Sequence, residues 1–281
     1  MSRLSRLLPP AWRRGLSAAR ERLLSRSLRA AADEQGLAAL AARLASVAEV
    51  TGQYTTMTMD SEFLRLKVRA QHAFQVDLAL GALPEDGGTV ADIGDSSGTH
   101  TLYLKALAPE RRLRFLSVNL DAQAVAKVQA KGLEAKRCRA EDLHREGVKA
   151  DVFLLFETLE HLSDPFVFLH RLSRTGCRRL ALSVPYLRRS RVGLHHIRQG
   201  LAGPVTAERV HLLELCPEDW RLVFRHAGWK AERDRVYLQY PLRSALRATK
   251  AVWASWDFEG FYGAVLTPDP SWSSQYQDWP A

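Results

Sequence analysis

Thr89-Val-Ala-Asp-Ile-Gly-Asp-Ser-Ser-Gly98, followed by Thr99-His100 and a helix-forming run, decides the fold of this chain. A short apolar strand enters a glycine turn and leaves it as a helix N-terminus. Glycine suits that turn because a Cβ would block a ligand or force a disfavoured backbone angle. Outward from it, short apolar runs alternate with helical segments. Strands are expected at Thr89–Ile93, Leu113–Val118, Glu134–Cys138, Asp151–Phe156, Arg179–Val184, Glu232–Leu238 and Gly260–Leu266. Helices are expected at about Thr99–Leu107, Ala122–Lys131, Pro165–Ser173 and Pro217–Ala227. The segment Arg243–Trp256 reads as a helix or a long loop. Such alternation predicts an α/β domain with a mostly parallel sheet, which binds ligands beyond the carboxyl ends of its strands.

The chemistry of the turn narrows the ligand. Dinucleotide enzymes use Gly-x-Gly-x-x-Gly and aim helix amides at a pyrophosphate. Here the pattern is Gly94-x-x-x-Gly98, with an acid, Asp95, where a pyrophosphate would be repelled, and Gly-Lys-Ser/Thr is absent. An acidic loop suits a cofactor that carries an ammonium and a sulfonium. The run resembles the first motif of class I S-adenosylmethionine (SAM)-dependent methyltransferases, usually Asp-x-Gly-x-Gly-x-Gly. Asp92, Gly94 and Gly98 match, and Ser96 replaces the middle glycine. The resemblance implies a Rossmann-like seven-stranded sheet flanked by helices, with SAM as cofactor.

Further segments carry the same likeness. In Phe115-Leu-Ser-Val-Asn-Leu-Asp121 the family usually has an acid that holds both ribose hydroxyls; Asn119 stands there, beside Leu120. An amide lacks the two acceptor oxygens of a carboxylate. Asp121 either compensates or caps the next helix. Cys138-Arg-Ala-Glu-Asp-Leu143 resembles the family segment beside the adenine, which implies Glu141 or Asp142 at the exocyclic amine; a solvated turn is the alternative. The most diagnostic run is Ala150-Asp-Val-Phe-Leu-Leu-Phe-Glu-Thr-Leu-Glu-His-Leu-Ser-Asp-Pro165, similar to the fourth-strand motif of small-molecule SAM methyltransferases. It sets Phe156 and Glu157 at the strand end facing the crevice, Glu160 and His161 on the next turn, and Asp164-Pro165 at a helix start. The implied cofactor residues are therefore Asp92, Gly94, Asp95, Ser96, Gly98, Asn119, Leu120, Glu141, Asp142, Phe156 and Glu157. The likeness covers residues 89 to about 240, more loosely to 267, and leaves out the first 80.

Methyl transfer is an in-line displacement, and an alcohol acceptor wants a base. His161, His195, His196 and His211 are the candidates, each with a purely structural alternative. The insertion at about 186–209 also holds Arg188, Arg189, Arg191 and Arg198. That loop either suits an anionic acceptor, such as an acidic sugar or a phosphate-bearing carrier, or is a solvated charged loop. Trp253, Trp256, Tyr262 and Trp272 either form a pocket lid or pack the core or an interface. These readings favour O-methylation of a small molecule or glycan, with a cell-surface sugar or lipid-linked saccharide as the expected acceptor. A non-catalytic binding or scaffold protein is the alternative, supported by Ser96 and Asn119. Nucleic-acid methylation ranks below it, since no Asn-Pro-Pro-Tyr-type tetrapeptide follows the fourth strand. No nucleic-acid partner is expected.

The 281 residues, 46% apolar, suffice for one large domain with an appendage. We divide them into a helical N-terminal extension, 1–84, and a methyltransferase domain, 85–281. Cys138, Cys177 and Cys216 form no Cys-x-x-Cys pair, so neither zinc nor disulfides are expected and the metal assignment is none. The cysteines fit a reducing, cytoplasmic setting. No apolar run is long enough to span a bilayer. The net charge of +9 is concentrated: residues 1–30 hold eight arginines against Glu21 alone. Residues 1–50 read as helix after Pro9-Pro10, with Trp12, Leu16, Leu23, Leu24 and Leu28 within one side. Three readings stand: a helix packed on the core or on a second subunit of a homodimer, a peripheral anchor at the inner face of the membrane, or a cleaved transit peptide. A polar stretch, Gly52 to Asp60, precedes a helix expected from Ser61 to Gly81.

Overall fold

In the computed structural model, residues 10–55, 57–193, 203–206, 210–256 and 258–277 are described. The helices are α1 (Pro10–Glu34), α2 (Ala38–Ala45), α3 (Glu62–Ala82), α4 (Thr99–Leu107), α5 (Ala122–Ala130), α6 (Pro165–Ser173), α7 (Pro217–His226) and α8 (Lys250–Trp256). The main-sheet strands are β1 (Gly88–Ile93), β2 (Leu113–Asn119), β3 (Ala135–Arg137), β4 (Val152–Phe156), β5 (Arg179–Pro185), β8 (Trp229–Leu238) and β9 (Gly260–Pro268). A two-stranded pair, β6 (Arg191–Val192) and β7 (Leu213–Glu214), closes the insertion after β5.

The seven strands lie in the order β3-β2-β1-β4-β5-β9-β8, and β9 alone among them runs against its neighbours. The mostly parallel α/β sheet read from the sequence is thus present. β4 is buried at all five positions, as a central strand covered on both faces must be. α4 and α6 begin where their caps dictate. Gly98 caps α4 in the left-handed region, and the Asp164 carboxylate accepts the Val167 amide with Pro165 in the first turn of α6. β3 is shorter than expected, three residues at the sheet edge, although the Cys138 amide still reaches the Asn119 carbonyl. Residues 245–249 form a 3-10 turn that runs into α8, which resolves the helix-or-loop alternative there.

The N-terminal helices lie against the sheet layer. Leu24 and Leu28 of α1 are buried with Phe63, Tyr240 and Trp253. Leu23, expected on the same side, is instead 41% exposed, because the buried face turns toward Leu24, Ser27 and Leu28. The side chains of Trp12 and Leu16 lie outside the described residues. Polar contacts fix the dock: Glu34 accepts the amides of Leu242 and Arg243, and Gln35 bonds both backbone groups of Leu238 at the end of the edge strand β8. No helix among the described residues is long and apolar enough to cross a membrane.

α3, capped by Ser61, packs across β5 and β9 in the same core cluster as Val90, Val152 and Leu154. Gly263 on β9 lets it approach: a Cβ there would lie 2.3 Å from Leu78 Cδ1 and 2.7 Å from the Phe74 ring. Gly263→Ala should therefore cost ~1–3 kcal/mol through overpacking. A urea titration checks this, and shortening Phe74 to Leu in the same chain should recover part of the loss; an unshifted midpoint in the single variant would contradict this packing.

Candidate functional site

The turn after β1 is built by packing and by its own acid. Gly94 has φ +87°, and a Cβ there would stand 2.2 Å from Thr158 Oγ1 beyond β4. A Cβ at Gly98 (φ +72°) would meet Leu133 at 2.6 Å. Protein neighbours, together with backbone angle, thus require both glycines. The Asp95 carboxylate is buried beneath the turn. Its Oδ1 accepts the amides of Ser97 (3.0 Å) and Gly98 (2.7 Å), and its Oδ2 accepts the Ser117 hydroxyl (2.5 Å). Two backbone N–H groups and a hydroxyl hold this acid beneath the turn.

Three side chains complete the turn. Ser96 Oγ donates to the Gln53 carbonyl (2.9 Å), and Ser97 Oγ donates to Gln53 Oε1 (2.9 Å). Asn119 Nδ2 donates to the Asp95 carbonyl (3.1 Å), while its Oδ1 accepts the Asp121 amide (2.8 Å). Asp121 itself caps α5 by accepting from the Gln123 amide, the second of the two roles open to it.

Above the turn, at the carboxyl ends of β1, β2 and β4, lies a cavity of about 370 Å³. Of the residues expected at a cofactor, Asp92, Gly94, Asp95, Ser96, Asn119, Leu120, Glu141, Phe156 and Glu157 line it, and so do His161 and His211. Gly98 and Asp142 do not: Gly98 is packed on Leu133, and Asp142 is turned toward Arg145. His195, His196 and Arg198 lie outside the described residues.

Sequence reasoning missed the wall that the N-terminal extension supplies. Gln53, Tyr54 and Thr55 line the cavity from the polar stretch, and Lys67, Gln71, His72 and Gln75 line it from α3. The signal in the sequence was the spacing i, i+4 and i+8 of Lys67, Gln71 and Gln75, which sets them on one face of the helix. Gln75 joins a buried chain of hydrogen bonds across the cavity floor. His100 Nε2 donates to Gln75 Oε1 (3.0 Å), Gln75 Nε2 to Ser183 Oγ (3.0 Å), and Ser183 Oγ to Glu157 Oε1 (2.7 Å). The amide oxygen can only accept, so Nε2 of His100 carries the hydrogen. His100 Nδ1 lies 3.4 Å from the Asp92 carboxylate.

Two features of this floor run against stability. Burial, with the Asp95 charge adding to it, pushes the Asp92 carboxyl up to about 6, and His100 only partly offsets the rise. Glu157 has φ +49°, the one non-glycine residue among those described with positive φ. Ser183 clamps it twice, through its backbone carbonyl to the Glu157 amide (2.9 Å) and through its hydroxyl to the carboxylate. His72, beside His100, is held neutral: burial first, then the His100 charge, drives its pKa well down.

At the other end, Glu160, His161, His211 and Phe258 line the cavity. The His161 and His211 rings meet edge to face at 4.6 Å, and His211 stacks on Phe258 at 5.4 Å. Arg188 and Arg191 pair with Glu259 and Glu214, and none of the described insertion arginines lines the cavity. Trp253 and Tyr262 are core residues, and Trp272 lies half-exposed on Arg225 and His226, so these three pack rather than cover the pocket. The side chain of Trp256 lies outside the described residues.

No family model matches the chain, and no curated protein sequence does. Solved structures do. The [4+2]-cyclase SpnF superposes with a TM-score of 0.53 at 12% identity, over 85% of this chain and 97% of its own. A chain of the complex between the Haloferax volcanii Trm112 methyltransferase activator and its assigned methyltransferase gives 0.52 at 16%, over 72% and 92%. A Galdieria sulphuraria protein described as a sarcosine dimethylglycine methyltransferase gives 0.51 at 11%, over 79% and 93%. With this sheet order and these neighbours, the chain has the class I SAM-dependent methyltransferase fold.

Proposed function

We propose that this protein binds SAM and transfers its methyl group to a hydroxyl of a small molecule, with sugars as the favoured acceptor class. The single observation that carries the cofactor is Asp95. A strand–turn–helix normally offers its first amides to a phosphate. Here the carboxylate of Asp95 already accepts the amides of Ser97 and Gly98, so a phosphate finds neither donor available and meets a negative charge. A nucleoside cofactor with a cationic tail and no phosphate suits such a turn. The cavity volume lies in the usual range for small-molecule sites, roughly 300–1,000 Å³. Leu120, Ala140 and Glu141 would hold the adenine, Asn119 the ribose, and Gly94, Asp92 and Glu157 the charged tail.

SAM supplies an electrophilic methyl on a sulfonium, and the residues around it position the acceptor and exclude water. The acceptor end combines aromatic faces, Phe258 and Phe261, with polar side chains such as Gln71 and His211. Sugars present CH faces and hydroxyl edges that fit this mixture. The ion pairs of Arg188 and Arg191 leave less support for a strongly anionic acceptor. One observation favours a non-catalytic binding protein of the same fold: the Asn119 amide is engaged at both ends inside the protein. Fold alone decides nothing between these readings.

Calorimetry separates them. SAM and S-adenosylhomocysteine are expected to bind in the micromolar range, and NAD and ATP not at all. Absence of SAM binding at millimolar cofactor would leave the scaffold reading.

Asp92→Asn tests whether the floor is kept for binding. The carboxyl rises from 3.8 to about 6 on folding. Between those values the folded state binds more protons, so stability falls as pH rises through the window and stays lower above it. Asparagine removes that cost. The variant should be more stable than wild type by on the order of 1–3 kcal/mol at pH 8, with the difference vanishing near pH 4. It should also bind SAM at least ~10-fold more weakly, equivalent to ~1.4 kcal/mol. A pH-independent difference in urea midpoints, or undiminished SAM affinity, would contradict this.

A further inference from the structure

We propose that Glu160, His161 and His211 form a binding site for one divalent first-row transition ion, whose remaining positions face the cavity and take an oxygen-donor ligand. The inference extends the methyl-transfer reading by adding an ion at the acceptor end of the same cavity. One potential ligand atom from each residue lies within 4.8 Å of the others, and His161 Nε2 stands 4.0 Å from Glu160 Oε1. That spread is within side-chain rotation of metal–ligand distances of about 2.0–2.2 Å.

Three observations point to a cation. First, Glu160 is 1% exposed, and neither carboxylate oxygen has a hydrogen-bond partner among the described residues. Buried carboxylates are ordinarily satisfied by donors, and an orphaned one calls for a proton or a metal. Second, both histidines are oriented from behind. His161 Nδ1 lies 3.0 Å from the Val210 carbonyl, which only accepts, so Nδ1 carries the hydrogen. His211 Nδ1 lies 2.7 Å from Glu214 Oε1. Arg191 Nε donates to the other Glu214 oxygen, so the carboxylate meets His211 as an acceptor. Each ring therefore presents Nε2 as its electron-pair donor, and outer carbonyl and carboxylate partners of this kind are the usual support of metal-binding histidines. Third, the Leu212 amide bonds the Glu160 carbonyl (2.7 Å), which ties the segment bearing His211 to the turn bearing Glu160 and His161.

Two imidazoles and a carboxylate suit Zn²⁺, Mn²⁺, Fe²⁺ or Co²⁺ rather than Mg²⁺ or Ca²⁺, which prefer oxygen donors throughout. The expectation of no metal rested on cysteine spacing, and this site uses no cysteine.

The test is a Co²⁺ titration of the chelator-treated full-length protein, followed by visible absorption, with Zn²⁺ as competitor. One Co²⁺ per chain is expected, displaced by Zn²⁺. His161→Gln, His211→Gln and Glu160→Gln should each weaken binding at least ~10-fold, and Glu214→Gln, which touches no ion, by ~10–100-fold. Thermal melts establish that each variant is folded, and Glu214→Gln serves where a ligand variant is not. No uptake by wild type at millimolar Co²⁺ overturns the site, as do folded variants that bind like wild type; both outcomes leave Glu160 as a buried neutral acid. The titration needs no SAM. Metal uptake without SAM binding would sink the methyl-transfer reading and support this site, whereas SAM binding without metal uptake would sink this site alone.

Discussion

The Asp95 carboxylate organises the site. A glycine turn between a strand and a helix exposes backbone amides that attract anions. In this chain a side chain two and three residues upstream fills that demand, and Ser117 on β2 satisfies the remaining oxygen. The consequences extend outward. With its side chain turned under the turn, Asp95 leaves its backbone carbonyl for the Asn119 amide. A carboxylate at 119 would face that carbonyl without a proton to share, so the amide at the end of β2 and the acid in the turn belong together. Ser96 has a similar explanation: its hydroxyl and that of Ser97 hold Gln53. The departures from the family motif are thus the parts of one hydrogen-bonded turn.

How much of this was legible in the sequence depends on the length scale of the signal. The short apolar runs and the helical segments between them reported the strand and helix order because burial imposes such patterns locally. α4 and α6 came out with their expected limits because Gly98 and Asp164-Pro165 carry their own stop and start chemistry. The direction of the Asp95 side chain was not legible, since it depends on amides two and three residues ahead and on a hydroxyl from the next strand. Nor was the role of α3, whose glutamines acquire meaning only once Gly263 lets the helix reach the sheet. Leu23 and Leu24 differ by one residue and 100° of helix, which a wheel drawn without a partner surface cannot resolve.

The late aromatics taught the opposite lesson. Trp253 and Tyr262 had the composition of a pocket lid, yet area decided their fate: large side chains on a helix facing α1, or on a strand between two others, are worth most when fully covered. The residues that do close the cavity, Phe258 and Phe261, flank the start of β9, where the strand emerges at the level of the β4 and β5 ends.

The floor of the cavity shows why function rather than stability governs this region. Asp92 is buried beside a second acid, and Glu157 holds a backbone angle that a glycine would adopt at less cost. Neither feature is required by the sheet, since Asp92 pairs with Leu154 through its backbone and Glu157 lies beyond the last β1–β4 pair. Yet the two are joined: His100, Gln75 and Ser183 connect the neighbourhood of Asp92 to the Glu157 carboxylate through three hydrogen bonds. A chain of this kind is sensitive to every member, because breaking one link leaves buried donors and acceptors unmatched on both sides. Its middle link, Gln75, comes from the N-terminal extension. The extension therefore does more than add apolar surface to the sheet: its side chain holds the two strained acids of the site in one arrangement.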